Sequence, residues 1–393
     1  MPLVPFRVLA TRRWSGDKLD NLTHSLVGAA ISKVGVERAT PLATATLVVA
    51  ANAPDIDMLS YIGGEYFALT FRRGITHGWP ALLVLPFLVT AAMLGWDRWV
   101  RRVRRPEAAP ARAGPVLALS AVGTATHPAL DWMNTYGMRW SLPFDGTWSY
   151  GDALFIIDPW IWLTLGGAVF WASRPERRAL LGWGVLAALT SSLVFFGVGG
   201  WAGVPWILGL AVIIVVRARG RPRPAGRHEG TVAIAALAVV LYIGAMVAAS
   251  AAARTNTLET AESNGLRVED ILIAPRAGNP FAADVEVQTP EAFVPGTHQW
   301  LGAPRVSLRL DEALPRFSAS ADTPDTLARR VAVAARERPR VLDYLVWSRY
   351  PYVRVMPNDS GWAVRFSDAR YDSQPAAGGL AGLNVQISSS EIR

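Results

Sequence analysis

The chain carries five histidines, and three of them follow a threonine: Thr23-His24, Thr76-His77 and Thr126-His127. Each pair sits at or inside an apolar stretch, where an ionisable side chain is costly and usually functional. Asp131 stands four residues after His127 in THPALDWMNTYG (126–137), and positions i and i+4 share a helix face. NAPDID (52–57) adds Asp55 and Asp57, which point to one side if the segment is extended. His24, His77, His127, Asp55, Asp57 and Asp131 form a sulfur-free donor set. Such a set suits Zn first and Mn or Fe next, and disfavours soft metals. Six groups exceed the four ligands of a structural zinc. The set therefore fits two divalent ions, or one catalytic ion with an acid or base beside it. Asp57 or Asp131, whichever is not fully engaged, is the expected base. Arg72 and Arg73, shortly before His77, are expected to pair with these carboxylates or to hold an anionic substrate, since a guanidinium matches phosphate well.

Taken singly, each signal has a plainer reading. Thr23 or Thr76 can cap a helix, an H-x-x-x-D pair can be a simple hydrogen bond, and Asp-x-Asp can form a turn. The case for a shared metal site rests on their joint placement. Asp158, in FIIDPWIW, reads as a helix N-cap followed by Pro159 at the first helical position rather than as a ligand. Asp152 reads similarly, and as more exposed. His228, in an arginine-rich loop, and His298, in the C-terminal third, read as incidental.

Composition indicates what must position these groups. Of 393 residues, 51% are hydrophobic and 18% charged, with 16 Trp and no Cys. The lack of Cys excludes disulfides and thiolate sites. A net charge of +8 raises nucleic acid as a partner, but the arginines cluster in short loops between apolar blocks with no aromatic-interleaved basic face. That is the positive-inside pattern of a membrane protein, so no nucleic-acid partner is expected. The apolar blocks end near residue 253. The expected class is mainly α: a polytopic transmembrane bundle of about seven to eight segments, followed by a soluble α+β domain. The clearest spans are 79–96, 115–133, 153–171, 179–198 and 231–252, each near the ~20 residues that cross a bilayer. Weaker ones are 23–36, 41–53 and 204–216. Trp79, Trp96, Trp132, Trp160, Trp171, Trp183, Trp201 and Trp206 lie near span ends, as interfacial Trp does.

Placing the arginine loops 97–114, 172–178 and 217–230 in the cytoplasm gives one consistent alternation. It puts residues 253–393 outside, as an extracytoplasmic domain, and residues 19–252 in the membrane bundle. It also gathers all six candidate ligands at the outer side. Residues 1–18 conflict with an outside N-terminus, because Arg7, Arg12, Arg13 and Lys18 resist translocation. The expectation is that this extension is not translated and that the mature chain begins near Leu19.

The motifs DNLTHSLVGAAI (20–31), NAPDID (52–57), RRGITHGWP (72–80), THPALDWMNTYG (126–137) and WSLPFDGTWSYGDALFIIDPWIW (140–162), in this order and spacing, resemble the bacterial inner-membrane metal-dependent hydrolases of the LexA-regulated type. The likeness covers about residues 20–171. It implies a hydrolase with His24, Asp55, Asp57, His77, His127 and Asp131 as metal ligands, and lends a reaction class without a substrate.

In the last third, 268–275, 284–289, 305–310, 352–356, 362–366 and 383–388 alternate as strands do. Residues 323–350 read as helical, capped by Thr323 or Asp325 and breaking at Pro339. The combined expectation is a multi-pass inner-membrane hydrolase dependent on one or two divalent ions. It would cleave a phosphoester of a lipid or lipid-linked substrate reached laterally from the outer leaflet. The alternatives are an ion or metal transporter, which calls for polar groups through the bilayer depth, and a scaffold whose metal is structural.

Overall fold

The computed structural model describes residues 20–173, 176–198, 200–219, 227–317, 326–371, 380 and 382–392. The N-terminal extension 1–18 and the proposed start at Leu19 lie outside them. The first helices are short: α1 (Asp20–Lys33), α2 (Ala43–Asn52), a 3-10 segment (Ala53–Gly63) and α3 (Glu65–Phe71). A loop, 72–78, leads into α4 (Trp79–Trp96), which continues through a π turn (Asp97–Arg101) into the single turn α5 (Arg102–Arg104). Then come α6 (Ala113–Trp132), α7 (Pro159–Ala172), α8 (Arg177–Leu193), α9 (Gly200–Arg219) and α10 (Arg227–Ser263).

Among the described residues, four helices are long and apolar enough to cross a membrane: Trp79–Arg104, Arg177–Val198, Trp201–Arg219 and Glu229–Ser263. The expected seven to eight segments are therefore too many. Three of the four unmatched spans are short helices, and the fourth, 115–133, is α6, which has 20 residues but is not among the helices apolar enough to cross. The apolar runs of α1 and α2 end after 14 and 10 residues, below the length of a span. The expected span 153–171 loses its first six residues, because Asp158 and Pro159 start α7 and leave it 14 residues long. Asp158 is the cap that the sequence suggests: its Oδ1 accepts from the backbone N–H of Trp160 (2.9 Å) and Ile161 (3.1 Å). Its Oδ2 accepts from the Tyr242 hydroxyl at 2.8 Å. Leu83, Phe87, Leu181, Leu208, Val240 and Leu241 are exposed on the long helices, as lipid-facing side chains are. Trp206 is buried, and its Nε1 donates to Ser191 Oγ at 2.9 Å.

At ~1.5 Å per residue α10 is about 55 Å long, well beyond the ~30 Å hydrocarbon core. Its last turns carry Ala253 and Ala261 into the core of the following sheet, so the expected boundary near 253 falls inside one continuous helix. That sheet holds β1 (Asp270–Arg276), β2 (Asn279–Gln288), β3 (Ala292–Gln299) and β4 (Val306–Leu308) in sequential antiparallel order, with β5 (Leu314–Pro315) paired to β3. A second antiparallel sheet orders β6 (Pro351–Asn358), β7 (Gly361–Asp368) and β8 (Leu383–Ser388). Helices α11 (Leu327–Arg336) and α12 (Pro339–Trp347) supply Val331, Val341, Tyr344 and Trp347 to its core. The helix pair breaks at Pro339 as expected. Its cap is Thr326, whose hydroxyl accepts from Arg329 N at 3.2 Å; Thr323 and Asp325 lie outside the described residues. Strand β3 was not expected.

Two glycines set how closely the first helices pack. A Cβ on Gly28 of α1 would stand 2.8 Å from the Leu47 carbonyl oxygen of α2. One on Gly123 of α6 would stand 3.0 Å from that oxygen and 2.7 Å from Ala50 Cβ. Small residues at such contacts let helix backbones approach. Here they bring α1 and α6 against α2, and thereby bring His24 and His127 together.

Candidate metal centre

His24 stacks on His127 with ring centroids 3.7 Å apart, and His77 meets His127 edge-on at 4.9 Å. All three rings are fully buried. His127 Nδ1 lies 2.6 Å from the Ala51 carbonyl oxygen. It must donate there, which assigns the tautomer and leaves the Nε2 lone pair pointing inward. His77 Nδ1 faces Thr76 Oγ1 at 2.9 Å and Asp57 Oδ2 at 3.3 Å, directing its own Nε2 at that of His127, 3.1 Å away. Two imidazole nitrogens this close, one with an inward lone pair, are bridged either by a hydrogen bond from the N–H of His77 or by a metal ion.

The carboxylates complete the figure. Asp131 Oδ2 lies 3.3 Å from His77 Nε2 and 3.6 Å from His127 Nε2, and Asp131 Oδ1 lies 3.3 Å from His24 Nε2. Asp55 Oδ1 lies 3.8 Å from His77 Nε2 and 3.7 Å from His127 Nε2. Four donors tetrahedral about zinc at ~2.0–2.1 Å are separated by roughly 3.3 Å. The five distances among His77, His127, Asp55 and Asp131 scatter around that edge. Two buried groups can therefore hold a metal ion: His24, His127 and Asp131, and Asp55, His77 and His127. The donor chemistry fits a divalent ion of the zinc type. The outward partners of the rings, Ala51 O and Asp57, are of the kind that orient metal-bound histidines.

Asp57 stands apart from the other carboxylates. Its Oδ2 accepts from Arg73 N (2.9 Å) and Thr76 Oγ1 (3.1 Å) on the Nδ1 side of His77. Arg72 and Arg73 are buried and engaged. Arg72 Nη2 is 3.3 Å from Asp55 Oδ1, its Nε is 3.7 Å from Asp57 Oδ1, and Arg73 Nε is 2.9 Å from Asp131 Oδ2. Arg73 takes a left-handed φ of 51°, strained for a side chain of this size and typical of functional sites.

In the ion-free site Asp55 is pushed up to about 6 by burial and by Asp131, against the pull of Arg72 and His77. Burial lowers His77, but hydrogen bonds to Asp131 and Asp57 more than compensate and raise it to about 9. A proton thus sits on His77 where a divalent ion would bind.

Several contributors escaped sequence reasoning. Asn134 Oδ1 accepts from Arg73 Nη1 at 2.7 Å, and Tyr136 lies under the Arg73 guanidinium at 4.7 Å. Arg139 braces the loop through its Nη2 to Thr70 O (2.5 Å) and its backbone N–H to Arg73 O (2.9 Å). Asn134 and Tyr136 stand within THPALDWMNTYG, but nothing local in that motif signals contact with residue 73. Thr23 and Thr76 are site partners too: Thr23 Oγ1 accepts from Trp162 Nε1 at 2.8 Å, fixing α1 to α7. Asp152 is buried rather than exposed. It pairs with Arg349 at 2.7 Å, because the C-terminal region covers it. His298 is buried beside Trp300, away from the cluster, and the side chain of His228 lies outside the described residues.

Residues 19–204 match the family profile of the YdjM inner membrane protein. No curated protein and no solved structure matches the chain. The family match and the four long apolar helices support a multi-pass inner-membrane protein with a distinct C-terminal α+β region.

Proposed function

We propose that the chain is a membrane-embedded, metal-dependent hydrolase that cleaves a phosphoester of a lipid or lipid-linked substrate at the outer face of the inner membrane. The supporting observation is the convergence of His77 Nε2 and His127 Nε2, 3.1 Å apart, with Asp55 and Asp131 at tetrahedral spacing. His77, His127, Asp55 and Asp131 would hold the ion, zinc in the first instance, with His24 against Asp131 Oδ1. Held there, a divalent ion would supply Lewis-acid chemistry, lowering the pKa of water toward ~7 and polarising the scissile group. Asp131 Oδ1 takes the proton from the attacking water, with His24 Nε2 at 3.3 Å to share it. Water oxygen bonds to phosphorus, the ester P–O bond breaks, and the departing oxygen takes up the proton that Asp131 received from the water. Asp57 keeps the His77 ring aimed by accepting at Nδ1. Arg72 and Arg73 are the cations nearest an anionic group at the cluster, and they offset charge that builds on it.

The outer-face location rests on the positive-inside assignment, and lateral entry is part of the proposal. The site lies at the C-terminal end of α6 and the N-terminal end of α4, opposite the arginine-rich turn Asp97–Arg105 between those two helices. The test uses the full chain purified in detergent, with metal counted per chain. Activity is read on a chromogenic phosphodiester and on phosphatidylglycerol in mixed micelles. The expected result is one zinc-type ion per chain, hydrolysis abolished by chelator and restored by zinc, and loss of at least ~100-fold in Asp131→Asn. A chain that retains no metal, or hydrolysis indifferent to chelator, would overturn the proposal.

A further inference from the structure

The C-terminal region joins the membrane part through a buried polar and aromatic contact that reaches the metal cluster in a few steps. Arg370 is buried, with Nε and Nη2 each 2.9 Å from Asp368, and donates through Nη1 to the Thr135 carbonyl at 2.8 Å. Its guanidinium also lies 4.5 Å over the ring of Trp347, which packs on Tyr136 at 5.3 Å. Thr135 and Tyr136 belong to the turn whose Asn134 Oδ1 accepts from both Tyr136 N (2.9 Å) and Arg73 Nη1 (2.7 Å). Arg73 in turn contacts Asp131 Oδ2, and its backbone N–H contacts Asp57 Oδ2, each at 2.9 Å. A second contact works from the other flank. Leu69 of α3, just before Arg72, is buried in the same apolar core as Tyr136, Tyr344 and Trp347.

We infer that the C-terminal α+β region is a positioning element of the His/Asp cluster: Arg370 and Trp347 clamp the turn 134–136 and α3, which together hold Arg73 on Asp131 and Asp57. The physical need is visible at Arg73. A strained left-handed backbone persists only where its surroundings over-determine it, and part of those surroundings comes from residues more than two hundred positions away. Arg370 and Trp347 are positioning residues. They act through Arg73 and touch no ligand atom.

The consequence for metal binding rests on the proposed metal centre; the clamp itself does not. Two readouts on the full chain separate them. Arg370→Lys keeps the charge but loses the forked contact to Thr135 and Asp368. The double variant Asp368→Asn/Arg370→Gln removes the buried ion pair as a unit, which is better tolerated than leaving one charge alone. Amide hydrogen exchange tests the clamp directly. Faster exchange is expected in 72–78 and 133–139, with 79–96 unchanged. Exchange confined to the C-terminal region would overturn the inference. Zinc competition titration tests the consequence, with roughly 10–100-fold weaker binding expected at unchanged stoichiometry, as for other outer partners of metal ligands. Wild-type affinity in a variant whose loop exchanges faster would remove the link to the metal. A wild-type chain that binds no zinc would defeat the metal reading and leave the exchange result to decide the clamp.

Discussion

Replacing His77 with alanine probes the cluster at the atom where a proton and the proposed metal ion would compete. His77 Nε2 faces His127 Nε2 at 3.1 Å and Asp131 Oδ2 at 3.3 Å, so the variant removes one corner of the tetrahedron. Closed zinc sites bind with about 10–16 kcal/mol. Shared over four donors, one imidazole accounts for roughly 3 kcal/mol, or 10²–10³ in affinity. The pH dependence gives a sharper signature. His77 titrates at about 9 without the ion, so at pH 7 its proton must leave before the metal binds. Apparent zinc affinity should therefore rise close to tenfold per pH unit from about 7 to about 9 in the wild type, then flatten. It should rise much less in His77→Ala. Calorimetry in buffers of differing ionisation enthalpy counts the released proton, expected near one per zinc and reduced in the variant. Flat wild-type affinity across that range, or a His77→Ala variant that binds zinc as tightly as wild type, would refute the reasoning.

Two other expectations follow. In Gly123→Val the new Cβ alone would stand 2.7 Å from Ala50 Cβ. It should force α6 off α2, lower stability by about 1–3 kcal/mol and reduce bound zinc, as read by thermal unfolding and metal analysis. The contact between Asp270 and Arg349 should weaken in acid. Burial raises the Asp270 carboxyl, but a hydrogen bond from Arg254 and the charge of Arg349 outweigh it and bring it to about 2 from 3.8. A lowered carboxylate contributes stability that is full above its unfolded value and lost as pH falls through the folded one. Proteolysis of the C-terminal region should therefore accelerate between about pH 4 and 2, and Asp270→Asn should show that rate at pH 7.

The site was legible in the sequence because its chemistry is carried by residue types rare in apolar segments. His24, His77, His127, Asp55 and Asp131 stand out wherever they lie along the chain, and the structure brings them within 4 Å of one another in linked pairs. Asp57 was equally visible, but its facing the far nitrogen of His77 depends on the path of the loop 72–78, which no spacing rule gives. The fold was legible where signals are local, as at the Asp158 cap and the Pro339 break. It differs at four expected spans. The segments 23–36, 41–53 and 153–171 yield helices of only 14, 10 and 14 residues, a length that suits a buried or interfacial helix better than a span, and in 115–133 Ser120, Thr124, His127 and Asp131 interrupt the apolar run of α6. Strand β3 was missed because Pro295 and Gly296 interrupt AFVPGTHQ with the two residues most adverse to strands. Arg370 carried no signal, since its partner Thr135 is 235 positions distant.

The two buried arginines bear on how many ions the centre holds. With neutral imidazoles, Asp55, Asp57 and Asp131 contribute three negative charges, and Arg72 and Arg73 return two positive ones, at 3.3 Å from Asp55 and 2.9 Å from Asp131. The ion-free cluster is therefore one negative charge out of balance, which the proton on His77 cancels. One divalent ion in place of that proton would make the cluster singly positive, the sign that would suit the anionic substrate proposed above. Two divalent ions would leave three uncompensated positive charges in a buried site unless both arginines swung away, and Arg73 is pinned by Asn134, Tyr136 and Asp131. A buried excess of that size is far more expensive than the single one. A single ion flanked by two guanidinium groups is the arrangement this charge count favours over a paired-metal centre.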